Sequence, residues 1–168
     1  SFSLALVIFR RGRLRALAAT DDGKTLYFSD YELGLFGIDL ASGKGFDVAT
    51  NERVSLEGID RLAWYQGHLL VLQNGFKPNR AMRFAVSPDG RKVIANQALD
   101  ASQASWSGPT GGTVAGDRFV FIADSQRGLL DDKRLHTIGR GQRKIVHFRL
   151  RTAEIKVRRE RQRRTGDQ

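Results

Sequence analysis

The chain has 168 residues, a formal net charge of +10 and a sequence pI near 10.6. It contains no cysteine, which excludes disulfides, thiolate nucleophiles and cysteine-ligated metals and leaves cytosol, periplasm and secretion equally open. No apolar run approaches the roughly twenty residues of a membrane-spanning helix, so no such span is expected.

The first apolar run, SFSLALVIF, predicts a strand over residues 2–9. It lacks the basic n-region and cleavage site of a signal peptide. From Leu14 a unit begins that reads LRALAA, an Asp22-Gly23 turn, KTLYFSD, YELG, LFGIDL, a Ser42-Gly43 turn and KGFDVAT. A second copy reads IDRLAWY, a Gln66-Gly67 turn, HLLVLQN, GFKPNR, AMRFAVS, an Asp89-Gly90 turn and RKVIANQ. A third reads GGTVA, a Gly116-Asp117 turn and RFVFIAD, then a long insert from Ser125 to Arg143, KIVHFRL, a turn at Arg151-Thr152 and AEIKVR.

The copies align residue by residue. Asp30, Asn74 and Asp124 each close a second strand, at spacings of 44 and 50 residues. Leu26, Tyr27 and Phe28 fall where Leu70, Val71 and Leu72 recur, and again where Val120, Phe121 and Ile122 do. Short strand-like runs joined by glycine turns, without a helical period, predict an all-β chain. A strand-only repeat of this length is the signature of β-propeller blades. Blades are expected at about 14–50, 59–99 and 111–158, with residues 2–9 as a strand of a preceding blade. A ring of about six blades needs roughly 250–300 residues, so the chain is expected to be an incomplete propeller of three four-stranded blades. Open blade faces and strand edges predict self-association.

The charge is not evenly spread. Residues 1–132 hold 15 Lys/Arg and 15 Asp/Glu, whereas residues 133–168 hold 13 Lys/Arg and three acids, a net of +10. Residues 159–168 read as a basic, disordered tail. Such a tail offers a weak route to nucleic acid, but it carries no aromatic side chain for base stacking.

Candidate chemistry is sparse. Asp30, Asn74 and Asp124 form a repeated set of acceptors, and repetition in every copy favours strand-end capping over a binding rim. Glu32 and Glu57 are single loop carboxylates, and His68, His136 and His147 have no metal-motif spacing. Trp64 in the second copy is expected to pack between blades. Trp106, in the polar linker DASQASWSGPT, is the better candidate for a ligand-facing aromatic. Ser102, Ser105 and Ser107 have no His or Asp at nucleophile-motif spacing.

The segments TDDGKTLYFSDYELGLFGIDLASGK, GIDRLAWYQGHLLVLQNG and RFVFIADSQ resemble the gluconolactonase, regucalcin and paraoxonase-like group of six-bladed propellers, of the senescence-marker-protein type. The resemblance covers roughly Leu14 to Gln126. It implies a divalent cation, calcium or zinc, in a central channel, held by Glu, Asn and Asp side chains ahead of the innermost strands and polarising a lactone carbonyl. By position it makes Asp60 a metal ligand and gives Arg61, Asn74 and Trp106 to substrate binding. Arg61 stands where the family has glycine, while Arg15 and Thr110 fall at positions matching an amide ligand. The first functional expectation is therefore metal-dependent hydrolysis of a sugar or related lactone by a longer parent protein. The alternative is a non-catalytic propeller that binds a ligand or protein partner through its face loops.

Overall fold

The computed structural model describes residues 14–101, 106, 108–124 and 149–154. Among them there is no helix, and the chain is all-β. In order the strands are β1 (Leu14–Ala19), β2 (Thr25–Asp30), β3 (Gly34–Asp39), β4 (Lys44–Asp47), β5 (Ala49–Thr50), β6 (Ile59–Tyr65), β7 (His68–Gln73), β8 (Arg80–Val86), β9 (Lys92–Ala101), β10 (Thr110–Ala115), β11 (Arg118–Asp124) and β12 (Arg149–Glu154).

They form three sheets. The first is β1-β2-β3-β4, the second β6-β7-β8-β9, and the third β10-β11-β12, each running antiparallel from neighbour to neighbour. These are the up-and-down sheets of propeller blades, and they do not close into a ring. The expected strand over 2–9, the insert at 125–143 and the tail at 159–168 lie outside the described residues.

Two details depart from the sequence reading. The second sheet gains β5, a piece of the connector between blades, which pairs parallel with the outer strand β9. Arg151 and Thr152, expected to turn, instead sit inside β12, opposite Phe121 and Val120. Neither residue is a glycine or an Asx residue that would favour a turn, and β-branched Thr152 suits an extended backbone.

Local sequence accounts for the hairpins. At Gln66-Gly67 both residues have positive φ, 46° and 78°, the geometry of the two-residue turn whose twist matches its flanking strands. Gln66 is the one non-glycine residue with positive φ among those described.

Packing between sheets follows from the period of two along β7. Leu69 and Val71 join the core formed with Tyr27, Leu35 and Phe46 of the first blade. Leu70 and Leu72 point the other way, into a core with Trp106, Phe119 and Phe121 on the third-blade side. All four are fully buried. The run LLVL is therefore apolar at every position because both faces of this strand are covered.

The first two blades are also tied by polar contacts. Ala49 N–H donates to the Arg91 carbonyl at 3.0 Å, and Ser29 Oγ donates to the Ile59 carbonyl at 3.2 Å. The Phe46 ring lies over Gly37, its cross-strand partner, where a Cβ would overlap it. The Arg91 guanidinium sits 4.4 Å from the Phe46 ring centroid. Glycine at 37 is thus required by the aromatic ring laid across it.

Tyr27 is buried between these blades and donates its hydroxyl hydrogen to the Gly90 carbonyl at 2.8 Å. Burial, reinforced by the Asp89 and Asp22 carboxylates, pushes its pKa up to about 12. The neutral phenol is the form the fold favours, so its contribution is complete below the ordinary tyrosine value near 10 and is lost as pH rises through about 12. Tyr27→Phe is expected to cost about 1 kcal/mol at pH 7. Urea unfolding of both proteins between pH 8 and 12 should show that difference shrinking above about pH 10, and a pH-independent difference would contradict this account.

Candidate functional site

The innermost strands β1, β6 and β10 neighbour one another, and each carries an irregularity near its first residues. In β1 the pairing passes from Leu14 opposite Asp30 to Ala16 opposite Ser29, leaving Arg15 as the extra residue. In β6 it passes from Ile59 opposite Gln73 to Arg61 opposite Leu72, leaving Asp60 extra. In β10 the shift lies between Thr110 and Thr113, across Gly111 and Gly112. A bulge bends its strand and re-aims a side chain, and it recurs beside functional sites. Here the same device is used in three successive blades.

The residues gathered there are polar. Asp60 is buried, and its Oδ2 accepts the Thr110 hydroxyl at 2.8 Å, a link from the second blade to the third. The Nε of Arg61 stands 3.9 Å from the same oxygen, beyond hydrogen-bond range. Arg61 Nη1 instead donates to the Arg15 carbonyl at 3.1 Å, reaching back to the first blade. The Arg15 guanidinium lies 5.0 Å from the centroid of the Tyr31 ring. Tyr31 donates its hydroxyl hydrogen to Asn74 Oδ1 at 2.8 Å, and Asn74 Nδ2 donates to the Pro109 carbonyl at 2.7 Å. Because only the amide nitrogen can donate to Pro109, this second bond fixes which way the Asn74 amide faces.

The site thus brings Asp60, Arg61 and Asn74 together with Arg15, Tyr31 and Thr110, and it touches three blades. Burial chiefly raises the Tyr31 pKa; the Asp60 carboxylate adds to that and Arg15 opposes it. Tyr31 therefore stays a neutral hydroxyl donor at physiological pH. Tight backbone packing underlies the arrangement. Gly58, at φ 64°, donates its N–H to the Tyr31 carbonyl and accepts from the N–H groups of Asn74 and Gly75. A Cβ on Gly58 would come within 2.9 Å of the Gly75 Cα. Gln73, fully buried, donates to the Ser55 and Glu57 carbonyls at 2.9 and 2.8 Å and holds the connector that leads to Gly58.

The acceptors that close the second strands do not act alike. Asp30 Oδ1 accepts from the N–H groups of Glu32 and Leu33, both at 2.9 Å, and caps its strand end. Asn74, at the corresponding position, spends its side chain between blades instead.

Trp106, expected to face a ligand, is 4% exposed. It packs edge-on against Phe121, with centroids 5.1 Å apart and rings inclined at 78°. The polarity of the linker around it suggested the surface, but the indole fills the gap between second and third blades. Trp64 stacks on Tyr27 at 5.8 Å, between the first two blades, and donates Nε1–H to Asp21 Oδ2 at 3.1 Å.

At the opposite ends of the strands a cavity of about 430 Å³ is lined by turn residues, Asp21, Asp22, Asp39 and Asp89 among them. These carboxylates serve the turns. Asp22 accepts from the Thr20 hydroxyl and Lys24 N–H, Asp39 from Ser42, and Asp89 from Ser87 and Arg91 N–H. Those hydrogen bonds hold all three below the usual carboxylate range. The carboxylates of Asp22, Asp39 and Asp89 are thus committed to the hairpin turns, and that of Asp21 to the Trp64 indole.

The described residues show one carboxylate where the resemblance implies a set of cation ligands. Calcium takes six to eight oxygen ligands, and zinc in oxygen or nitrogen sites takes three or four side chains. Asp60 is the carboxylate of the cluster, its Oδ2 receives a hydroxyl hydrogen, and the Arg61 guanidinium stands 3.9 Å from that oxygen. No group of three or more His, Asp or Glu side chains suited to a metal occurs among the described residues.

No family model matches the chain, and no curated protein does. Among solved structures it is similar to a PQQ-bound aldose sugar dehydrogenase from Streptomyces coelicolor, with 15% identity over 84% of this chain and 42% of that one, at a TM-score of 0.48. It is also similar to a luciferin-regenerating enzyme, with 20% identity over 71% of this chain and 39% of that one, at a TM-score of 0.46. Both are β-propeller proteins. The chain spans about two fifths of the length of each.

Because Asn74 bridges Tyr31 and Pro109, Asn74→Ala leaves a hydroxyl and a carbonyl without their partner and should destabilise by about 1–3 kcal/mol. Asn74→Asp should not restore stability, because a carboxylate oxygen would then face the Pro109 carbonyl. Urea midpoints of the two variants and of Tyr31→Phe provide the check, and a neutral Asn74→Ala would remove the bridge from the account.

Proposed function

We propose that the bulge cluster binds a small oxygen-rich molecule, a sugar or a lactone, as part of a propeller that works here as a binding module. The observation that carries this reading is the bulge repeated at the head of β1, β6 and β10, which gathers hydroxyl, amide, carboxylate and guanidinium groups from three blades. Sugars and lactones present carbonyl, ring and hydroxyl oxygens, and such ligands are oriented by a few fixed polar groups of this kind. Arg61 and Arg15 would donate to ligand oxygens, with Asp60, held by Thr110, accepting from a ligand hydroxyl. Asn74 acts one step back, by holding Tyr31 under the Arg15 guanidinium.

Metal-dependent lactone hydrolysis by a longer protein is the other reading. The resemblance of the strand and turn motifs favours it, and so does the position of Asp60 at the start of an inner strand. It requires cation ligands beyond those in the described residues, and it requires Asp60 to release Thr110 and tolerate Arg61. The non-catalytic reading needs neither change.

Calorimetric titration of the 168-residue chain with calcium, zinc, D-glucose and D-glucono-lactone separates the two. Binding of sugar or lactone that is indifferent to chelator, with no cation binding at micromolar concentration, is the expected result. Micromolar calcium or zinc binding that disappears in Asp60→Ala would reverse the choice. Absence of any sugar or lactone binding at tens of millimolar would remove the binding reading.

A further inference from the structure

The two guanidinium groups narrow the class of ligand, and this step rests on the binding reading above. Arg61 stands beside Arg15, with Nη1 held 3.1 Å from the Arg15 carbonyl. A guanidinium has five N–H donors in a planar fork, and that carbonyl uses one of them. The Arg15 guanidinium engages Tyr31 through its face, at 5.0 Å from the ring centroid. Stacking of this kind leaves in-plane N–H groups available to donate. Neither arginine has a carboxylate within hydrogen-bond range among the described residues, since Asp60 is 3.9 Å from Arg61 Nε and is occupied by Thr110.

The charge of the cluster is therefore positive. Its ionised side chains are the Arg15 and Arg61 guanidinium groups and the Asp60 carboxylate, and Tyr31 is neutral because burial raises its pKa. Arg15 is the extra residue of the β1 bulge, so the distortion that re-aims its side chain serves a cation. Asp60, the corresponding extra residue in β6, has turned to Thr110. At the β10 position the backbone irregularity falls on glycines, which add no side chain.

We infer that the bulge site recognises an oxyanion, the carboxylate or phosphate of a small sugar-like acid, through Arg15 and Arg61, and that these residues supply the positive charge that a divalent cation would supply to such a ligand. The planar fork suits two parallel N–H to oxygen bonds on a carboxylate or phosphate, which is geometry a hydrated point charge cannot offer.

The test compares D-gluconate, inorganic phosphate and neutral D-glucose by calorimetric titration of the full chain. Gluconate, phosphate or both should bind at least about tenfold more tightly than glucose, with an advantage that declines between about 20 and 500 mM NaCl. Arg61→Gln should weaken the oxyanion about 10- to 100-fold and glucose by a smaller factor, so that the preference for the oxyanion narrows about tenfold. Arg61→Lys keeps the charge without the fork and should fall between. Arg15→Gln, a change at an exposed residue, guards against misreading a folding defect at position 61. If gluconate and phosphate bind no better than glucose, or if neither arginine variant discriminates between them, the oxyanion inference is wrong and the sugar-binding reading stands. If none of the three binds, both fall together. Whether gluconate or phosphate is preferred identifies the headgroup.

Discussion

Burial of a sheet on both of its faces is the constraint from which the rest of this molecule follows. A single up-and-down sheet of four short strands has two faces and little core of its own. β7 resolves this by sending Leu69 and Val71 toward one neighbour and Leu70 and Leu72 toward the other. Truncating any of these four to alanine in such packing costs about 2–5 kcal/mol, a large share of the margin by which a small domain is stable. Sheet-on-sheet stacking also sets what lies at the strand ends. Once the second blade is pressed between two others, the heads of β1, β6 and β10 must converge, and any polar group there must find a partner across a blade boundary.

The polar network at those heads is the answer to that requirement. Thr110 satisfies Asp60, Asn74 satisfies Tyr31 and Pro109, and Arg61 satisfies the Arg15 carbonyl. Each of these bonds joins different blades, so the site and the blade interface are built by the same contacts. Gly58 allows the close approach on which they depend, because a side chain there would collide with the Gly75 backbone. A ligand bound at these heads, as proposed, would be coupled to the stability of the blade interface. Side chains that only bridge blades, such as Asn74, are structural even though they stand among residues that can reach a ligand.

Much of the fold was legible from residues alone, because its signals are local. The glycine turns, the period of two and the apolar run LLVL marked the all-β repeat, though not β5, which is defined only by its parallel pairing with β9. The site was legible in part. Asp60, Arg61 and Asn74 were singled out by aligning the copies; they lie at the inner-strand heads, and their part in binding is a proposal. The roles of Tyr31, Thr110 and Gln73 were not visible, because their partners lie 16 to 50 residues away, on other blades for Tyr31 and Thr110 and in the preceding connector for Gln73. The bulges left no sequence mark either, since an extra residue in one strand is defined only by pairing with its neighbour. Trp106 misled for a different reason. Its flanking Ser, Gln and Gly residues suggest a solvated loop, yet one large ring can plug an inter-blade gap while its neighbours stay polar.

The inner-strand heads also illustrate how one backbone device can serve opposite chemistries. A bulge fixes where a side chain is aimed and leaves its charge to the sequence. An acidic or amide residue at each of the three positions would make a converging set of oxygen ligands, the kind of donor set a hard cation takes. With arginine at 15, aspartate at 60 and glycine at 111 and 112, the same geometry cannot assemble that set. A guanidinium beside the remaining carboxylate reverses the local field, so a second positive charge would be repelled and a negative one attracted. Retention of Asp60 follows from the same electrostatics. Without it, Arg61 would lose the carboxylate that stands 3.9 Å from its Nε, and Thr110 would lose its acceptor. In the proposed oxyanion site the carboxylate is the counter-charge to Arg61, which stands 3.9 Å away.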